Sequence, residues 1–376
     1  MKFLHIADTH LGFEQYGVRE RFDDFSRTFL WLMNFAKEQK VDFVVLAGDL
    51  FHKRTVAPLA MRVAIHGFAL ADCPIIAVEG NHEKAYYSDQ KSWVDFLDET
   101  DSIRLLDHEC LELDGVRLCG MKYAGASADD EIRDFVSGIK ESDLFTILIL
   151  HAGLEGQFAH AGRLTHETVK MMEPIDYLAL GHIHKPYVVE KAYNPGSPET
   201  VSADESLWPQ RGALLIEAPS GHGGDIRHQV IVPPRRAFHR FDVGLDGCPD
   251  PKRLYDAMEY ITSLDIAPGA VLDVVVTGQI QFARSELDIK GSKEILKKID
   301  PLVAHIRNET TPVGFSLCID GVDGSIDAEK AVLSRVIARD ARYRDNAAVW
   351  VDRAITVKNL ALISPAEAVV EYLEGL

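Results

Sequence analysis

Residues 177–184 read Tyr-Leu-Ala-Leu-Gly-His-Ile-His. The short uncharged run Tyr177 to Leu180 has the form of a strand buried on both faces, and it stops at Gly181. In extended backbone, residues two apart project to the same side. His182 and His184 should therefore leave the end of a buried strand together. Other apolar runs repeat the pattern: Phe3 to Ala7, Phe43 to Ala47, Ile75 to Val78, Ile147 to Leu150 and Ala213 to Ile216. The first of these is followed by Asp8-Thr9-His10, the second by Gly48-Asp49-Leu50-Phe51-His52, the third by Gly80-Asn81-His82-Glu83 and the fourth by His151. Ligand sites in layered α/β folds gather at the carboxyl ends of strands. Here Asp, His and Asn occupy five such ends.

Between the first three runs lie helical patterns. Phe22 to Gln39 places Phe22, Phe25, Phe29, Leu32, Met33 and Ala36 at helical spacing, and Leu59 to Leu70 makes a second helix. Strand–helix–strand alternation implies an α/β layered domain. Val232-Pro233-Pro234-Arg235-Arg236 interrupts secondary structure and suits a linker. Beyond it, a strand at Ala270 to Gly278, a helix at Lys293 to Ile299 and a strand at Val303 to Arg307 suggest a small α+β module. From Ser325 the pattern turns helical, with Val332, Leu333, Val336 and Ile337 in one stripe. Ser364-Pro365-Ala366-Glu367 has the form of a capping box ahead of Val369, Val370 and Leu373. The expected division is 1–232, 233–322 and 323–376.

With 376 residues and 47% apolar content, the chain can bury a large core. It carries no uninterrupted apolar run of membrane-spanning length, and MKFLHIADTHLG lacks the form of a signal core, so neither a transmembrane helix nor a signal sequence is expected. The five cysteines, at 73, 110, 119, 248 and 318, include no Cys-X-X-Cys, so reduced thiols in a cytoplasmic setting are expected. A net charge of −18 disfavours a broad electrostatic surface for nucleic acid, though not a local site built from metal ions. Carboxylate, imidazole and amide oxygen together suit divalent first-row ions. Two such ions about 3.5–4 Å apart need a bridging carboxylate, and could polarise phosphoryl oxygens and activate a water for in-line attack. His182 and His184 would then face the same way so that each reaches one of two neighbouring metals.

In order, the five blocks resemble the calcineurin-like metallophosphoesterase superfamily (DxH, GD, GNH, H, GHxH). Residues 7–12, 48–52, Gly120-Met121-Lys122-Tyr123 and Asn194-Pro195-Gly196-Ser197-Pro198-Glu199 further resemble the Mre/SbcD-type DNA double-strand-break repair nucleases, most of all in their archaeal form. The resemblance covers residues 1 to about 220 by specific motifs, and 235 to 320 by the order of elements alone. It implies an α/β/β/α sandwich, a small α+β cap over DNA and a C-terminal helical segment. It also implies a manganese-dependent exo- and endonuclease that processes double-strand-break ends as the nuclease subunit of a complex.

Carried over by motif, Asp8, His10, Asp49 and His184 would hold one metal. Asp49 would bridge, and Asn81, His151 and His182 would hold the other. His82 would protonate the leaving oxygen, and His52 would assist near the scissile phosphate. Phe51-His52-Lys53-Arg54 replaces the Asp-Arg-Gly usual in protein phosphatases, which favours the nuclease branch. Glu83 stands where many relatives carry Asp, and the acidic stretch after Gly196-Ser197 lacks the expected arginine or tryptophan.

The resemblance further implies a homodimer through helices near Leu59 to Leu70 and Ser92 to Leu97. It implies a coiled-coil ABC-type ATPase partner for residues 325–376, and a nucleoid-associated place in a prokaryotic cytoplasm. Lys53-Arg54, Lys185 and Arg235-Arg236 are candidate phosphate contacts. Tyr16, Tyr86, Tyr87 and Tyr123 are candidate base-stacking residues, against core packing. His5, His66, His108, His160, His166, His222, His228, His239 and His305 match no motif and read as structural or surface residues. The acidic charge predicts weak, salt-sensitive DNA binding by the chain alone. Two competing functions are a phosphodiesterase of small molecules, which has little need for a cap, and a DNA-end scaffold, which has no reason to retain seven metal-binding side chains.

Overall fold

The computed structural model describes residues 1–85, 91–157, 163–312, 330, 333–334, 337, 346–363 and 372–373. The expectations at Tyr86, Tyr87, His160, Cys318, Val332, Val336 and 364–371 lie outside the described residues. Nineteen strands run in chain order through the described residues. They are β1 (Lys2–Ile6), β2 (Phe43–Ala47), β3 (Ile75–Val78), β4 (Arg104–Leu105), β5 (Glu109–Leu113), β6 (Val116–Met121), β7 (Phe145–Leu150), β8 (Gly153–Leu154), β9 (Arg163–Leu164), β10 (Tyr177–Leu180), β11 (Tyr187–Val189), β12 (Ala192–Asn194), β13 (Ala213–Glu217), β14 (Arg227–Ile231), β15 (Phe238–Gly244), β16 (Val271–Thr277), β17 (Gln279–Ile280), β18 (Val303–Asn308) and β19 (Thr311–Pro312). The α-helices are α1 (Arg19–Gln39), α2 (Pro58–Ala71), α3 (Trp93–Glu99), α4 (Ala128–Ser137), α5 (His166–Lys170), α6 (Arg253–Thr262), α7 (Ile289–Leu296) and α8 (Ala347–Ile363).

Two six-stranded sheets carry the fold, in the orders β14-β13-β1-β2-β3-β4 and β11-β12-β10-β7-β6-β5. Period-2 alternation sorts the side chains into three buried layers. Phe3, Phe43, Val45, Ile76 and Val78 face Leu118, Phe145, Ile147, Ile149, Tyr177 and Ala179 in the core between the sheets. The alternate residues Leu4, Ile6, Val44, Leu46 and Ala77 pack outward against Phe22, Phe29, Leu32 and Met33 of α1 and Ala60, Ala64 and Phe68 of α2. On the far side Leu148, Leu150, Leu178 and Leu180 pack against Ile132 and Val136 of α4 and Val169 of α5. The result is the α/β/β/α sandwich expected from the sequence. No helix among the described residues is long and apolar enough to cross a membrane.

By backbone contacts the chain divides into two compact units. One comprises Met1–Val243, Tyr255–Val275 and Ile289–Arg307, the other Gly244–Leu254, Val276–Asp288 and Asn308–Leu376. Within the first, Arg236 clamps Asp24 of α1 through two nitrogens, at 2.6 and 3.0 Å, and donates to the Gly269 carbonyl. Arg235 donates to the carbonyls of Pro209 and Arg211. These two arginines are thus committed to folding contacts. Tyr16 is likewise tied down, its hydroxyl donating to the buried Asp273 at 2.9 Å.

One expectation is corrected. Cys110 and Cys119 are joined by a disulfide, while Cys73 and Cys248 are free. They face each other in the antiparallel register of β5 and β6. A hairpin brings residues nine apart in sequence to a Cα separation of 4.0 Å, and no short Cys motif announces that pairing.

Phe29 is fully buried and stacks edge-on against Phe68 at 5.6 Å, joining α1 to α2. Phe29→Ala is expected to cost about 3–5 kcal/mol, read as a lower midpoint of urea unfolding with an unchanged slope.

Candidate metal centre

Parallel pairing lines up the strand ends. Ile6 lies beside Leu46 and Ala47 beside Val78, so Asp8, Asp49 and Asn81 emerge in a row from the first sheet. Leu150 lies beside Leu180 in the second sheet, so His151 emerges beside the Gly181-His182-Ile183-His184 turn. The first loops continue to bond one another: Asp8 N–H donates to Gly48 O and His10 N–H to Asp49 O, both at 3.1 Å. Asp8, His10, Asp49 and His182 all take positive φ, at 54°, 46°, 51° and 77°. Non-glycine residues pay for that conformation, and such strain concentrates at functional sites. Here it turns side chains inward just past the strand ends.

All seven expected ligands come together. His10 Nε2 lies 3.1 Å from His184 Nε2 and 3.9 Å from Asp49 Oδ2. His184 Nε2 is 4.0 Å from Asp8 Oδ1. His151 Nε2 sits 3.3 Å from Asp49 Oδ2 and 3.0 Å from Asn81 Oδ1, and His182 Nδ1 is 2.8 Å from the same Asn81 oxygen. Asp8, Asp49 and His151 each offer an atom within 4.8 Å of the other two, as do Asp8, His10 and His184. Asp49 thus has neighbours from both groups, the place a bridging carboxylate needs. His82 stands beside them, with Nε2 3.9 Å from Asp49 Oδ2 and Nδ1 2.7 Å from the His52 carbonyl. His52 stacks on Phe13 with ring centroids 3.7 Å apart.

The electrostatics fit divalent cations. Among the protein groups alone, burial pushes Asp8 up to about 6, against the pull of His184 and His151. Its Oδ2 is buried with no hydrogen-bond partner among the described residues. Burial would also raise Asp49, but His151, then His10 and His82, hold it well below the usual carboxylate range. Burial lowers His182 to about 3 and His10 well below its usual value, which leaves both as neutral imidazoles, the form that binds metal. Burial would lower His151 too, but Asp49 lifts it to about 9. Two adjoining buried carboxylates, one with an orphaned oxygen, are a site that a cation completes.

Sequence reading did not show what holds the ligands in place. Glu83 is buried and accepts from Phe51 N–H at 2.7 Å and Gly80 N–H at 2.9 Å, stapling the second loop to the third. Two acids of the stretch after Ser197, Glu199 and Glu205, also turn inward. Glu199 accepts from Arg21 and Thr28, and Glu205 accepts from His184 Nδ1. Burial of a carboxylate is the signal, and sequence does not display it. His5 is a core residue held between the Tyr177 hydroxyl and the Leu180 carbonyl.

Comparison with known proteins agrees with this geometry. The family described as calcineurin-like phosphoesterase matches residues 1–186. This part of the chain is a calcineurin-like metallophosphoesterase domain. Archaeal proteins named DNA double-strand break repair protein Mre11 are similar over more of it. That of Haloferax volcanii is 29% identical over 360 residues, covering 89% of this chain and 79% of its own. That of Archaeoglobus fulgidus is 30% identical over 233 residues, covering 55% and 52%, and that of Saccharolobus solfataricus is 27% identical over 229 residues, covering 58% and 60%. The chain therefore spans between about half and four-fifths of these relatives.

Gly80 gives the phosphoesterase site a sharp test. A Cβ there would lie 2.1 Å from Asp49 Oδ1 and 2.3 Å from Asp49 N. Gly80→Ala is expected to displace Asp49 and weaken manganese uptake about 10- to 100-fold, measured by calorimetric titration, with far-ultraviolet circular dichroism unchanged.

Proposed function

We propose that this chain is a two-metal-dependent DNA exo- and endonuclease that processes double-strand-break ends, with manganese as its ion. The observation that carries the reading is the convergence of Asp8 and Asp49 with His10, Asn81, His151, His182 and His184. It is supported by similarity over 89% of the chain to a relative named for double-strand break repair. In this reading Asp8, His10, Asp49 and His184 would hold one ion, with Asp49 shared, and Asn81, His151 and His182 would hold the other. When bound, the two ions supply Lewis-acid polarisation of a phosphoryl oxygen and a lowered pKa for the attacking water.

The remaining chemistry belongs to the chain. His82 is partly exposed, at 35%, so substrate can reach it. Its Nδ1 donates to the His52 carbonyl, which fixes the ring and aims Nε2 at the pocket. The water oxygen bonds to phosphorus and releases a proton to bulk solvent, the bond to the leaving oxygen breaks, and His82 delivers a proton to that oxygen from Nε2. The stack on Phe13 restrains His52, which assists beside the scissile phosphate.

Residues 1–232 form the nuclease domain in this proposal and 233–322 the cap over DNA. Residues 323–376 form the helical segment that binds a coiled-coil ABC-type ATPase. The exposed Ile65 on α2 and Trp93 and Phe96 on α3 fit a homodimer contact, since exposed aromatic and aliphatic groups mark association surfaces. The setting is a prokaryotic cytoplasm, at the nucleoid.

The test is nuclease assay on duplex DNA with blunt or recessed ends, in manganese, magnesium or chelator. Release of nucleotides is expected in manganese and absent in chelator. His82→Ala is expected to lower the rate about 10²- to 10⁴-fold while manganese titration stays as in the parent chain. Hydrolysis of small phosphodiesters with DNA left intact would overturn the reading.

A further inference from the structure

We propose that Glu205 is the positioning residue for His184, and that residues 194–211 form the cradle through which it acts. The inference rests on the metal-centre reading above. His184 is the last of the seven ligands in the chain and sits in a turn, not a strand, so it needs restraint from elsewhere. Three contacts supply it to the backbone. Asn194 Nδ2 donates to the carbonyls on both sides of His184, Ile183 at 2.6 Å and Lys185 at 2.8 Å. Ser197 N–H donates to the His184 carbonyl itself at 3.2 Å. Gly196 allows that approach: it has φ +70°, and a Cβ would lie 2.4 Å from the His184 oxygen. This gives Asn194-Pro195-Gly196-Ser197 a physical task.

Glu205 restrains the ring. Its Oε1 accepts from His184 Nδ1 at 2.7 Å and from Ser202 N–H at 2.9 Å. Its Oε2 accepts from the Ser197 hydroxyl at 2.6 Å, Val201 N–H at 2.9 Å and Arg211 Nη2 at 3.4 Å. The carboxylate is fully buried and saturated, so it cannot swing away. A proton on Nδ1, held by a carboxylate, leaves Nε2 as the lone-pair nitrogen and raises its basicity. Nε2 is the atom facing His10 and Asp8. His151, by contrast, is oriented by the Ala47 carbonyl, which carries no full charge. Loss of Glu205 should therefore weaken the ion held with Asp8 and His10 and spare the one held with Asn81, His151 and His182.

The experiment is manganese titration of the full chain by calorimetry, paired with electron paramagnetic resonance and thermal melting. Wild type is expected to take two ions and give a coupled two-manganese signal. Glu205→Ala is expected to bind one ion about 10- to 100-fold more weakly and to give an isolated-ion signal at intermediate manganese, as His184→Ala does. Ser197→Ala keeps the carboxylate but removes one of its donors, and should weaken the same ion ~2- to 10-fold. It decides the matter should Glu205→Ala fail to fold. Parent-like affinity for both ions in a folded Glu205→Ala or Ser197→Ala chain would overturn the proposal, as would equal weakening of both ions with a lowered melting temperature. Fewer than two ions on wild type would instead overturn the metal-centre reading itself.

Discussion

Two carboxylates buried side by side dominate this molecule. Asp8 and Asp49 are at most 2% exposed and offer oxygens within 4.8 Å of each other. Water cannot screen such a pair, and like charges in a low-dielectric site strongly oppose joint ionisation. Asp49 escapes the conflict through His151, His10 and His82. Asp8 does not: it accepts from His182 N–H through one oxygen and keeps the other unpaired. The histidines around them are there because the carboxylates are, and divalent cations would relieve what the imidazoles leave over.

That arrangement depends on strand register. A one-residue slip in a strand sends each side chain to the opposite face. Phe3 and Leu4 specify the register of β1 by packing into different layers, and Val44 and Val45 do the same for β2. The core thereby fixes where each loop starts, and the left-handed conformations at Asp8, His10 and Asp49 bend the ligands inward from there. Glu83 then locks the loops together by accepting from Phe51 and Gly80.

A second set of buried charges backs the site. Arg21 and Asp24 on α1 are fully buried, and Arg21 reaches Glu199 and the Thr200 carbonyl. Arg211 bonds Thr200 on one side and Glu205 on the other, and Glu205 bonds His184. Arg236 joins the chain at Asp24. Burying ions is expensive, and breaking one partner of such a pair costs about 3–5 kcal/mol. Glu199 and Glu205 are thus scaffolding rather than an anionic surface facing substrate.

The strands carrying the ligands were legible from their apolar runs: β2, β3 and β10 have the expected limits, and β1 and β7 differ by one or two residues. The ligand types were legible too, because Asp, His and Asn at five strand ends have little local reason to be there. Elements without an unbroken apolar run were missed, such as the β5–β6 hairpin and its Cys110–Cys119 bond, because pairing across a turn depends on register and not on composition. The sequence by itself determined the alternating layers and the chemistry of the ligand set, since both are written in local residue order. Only the tertiary structure decided which charges are buried and whom they face. Arg236 meets Asp24 across 212 positions of chain and His184 meets His10 across 174, and the desolvation that gives such contacts their strength exists only once the sheets have closed over them.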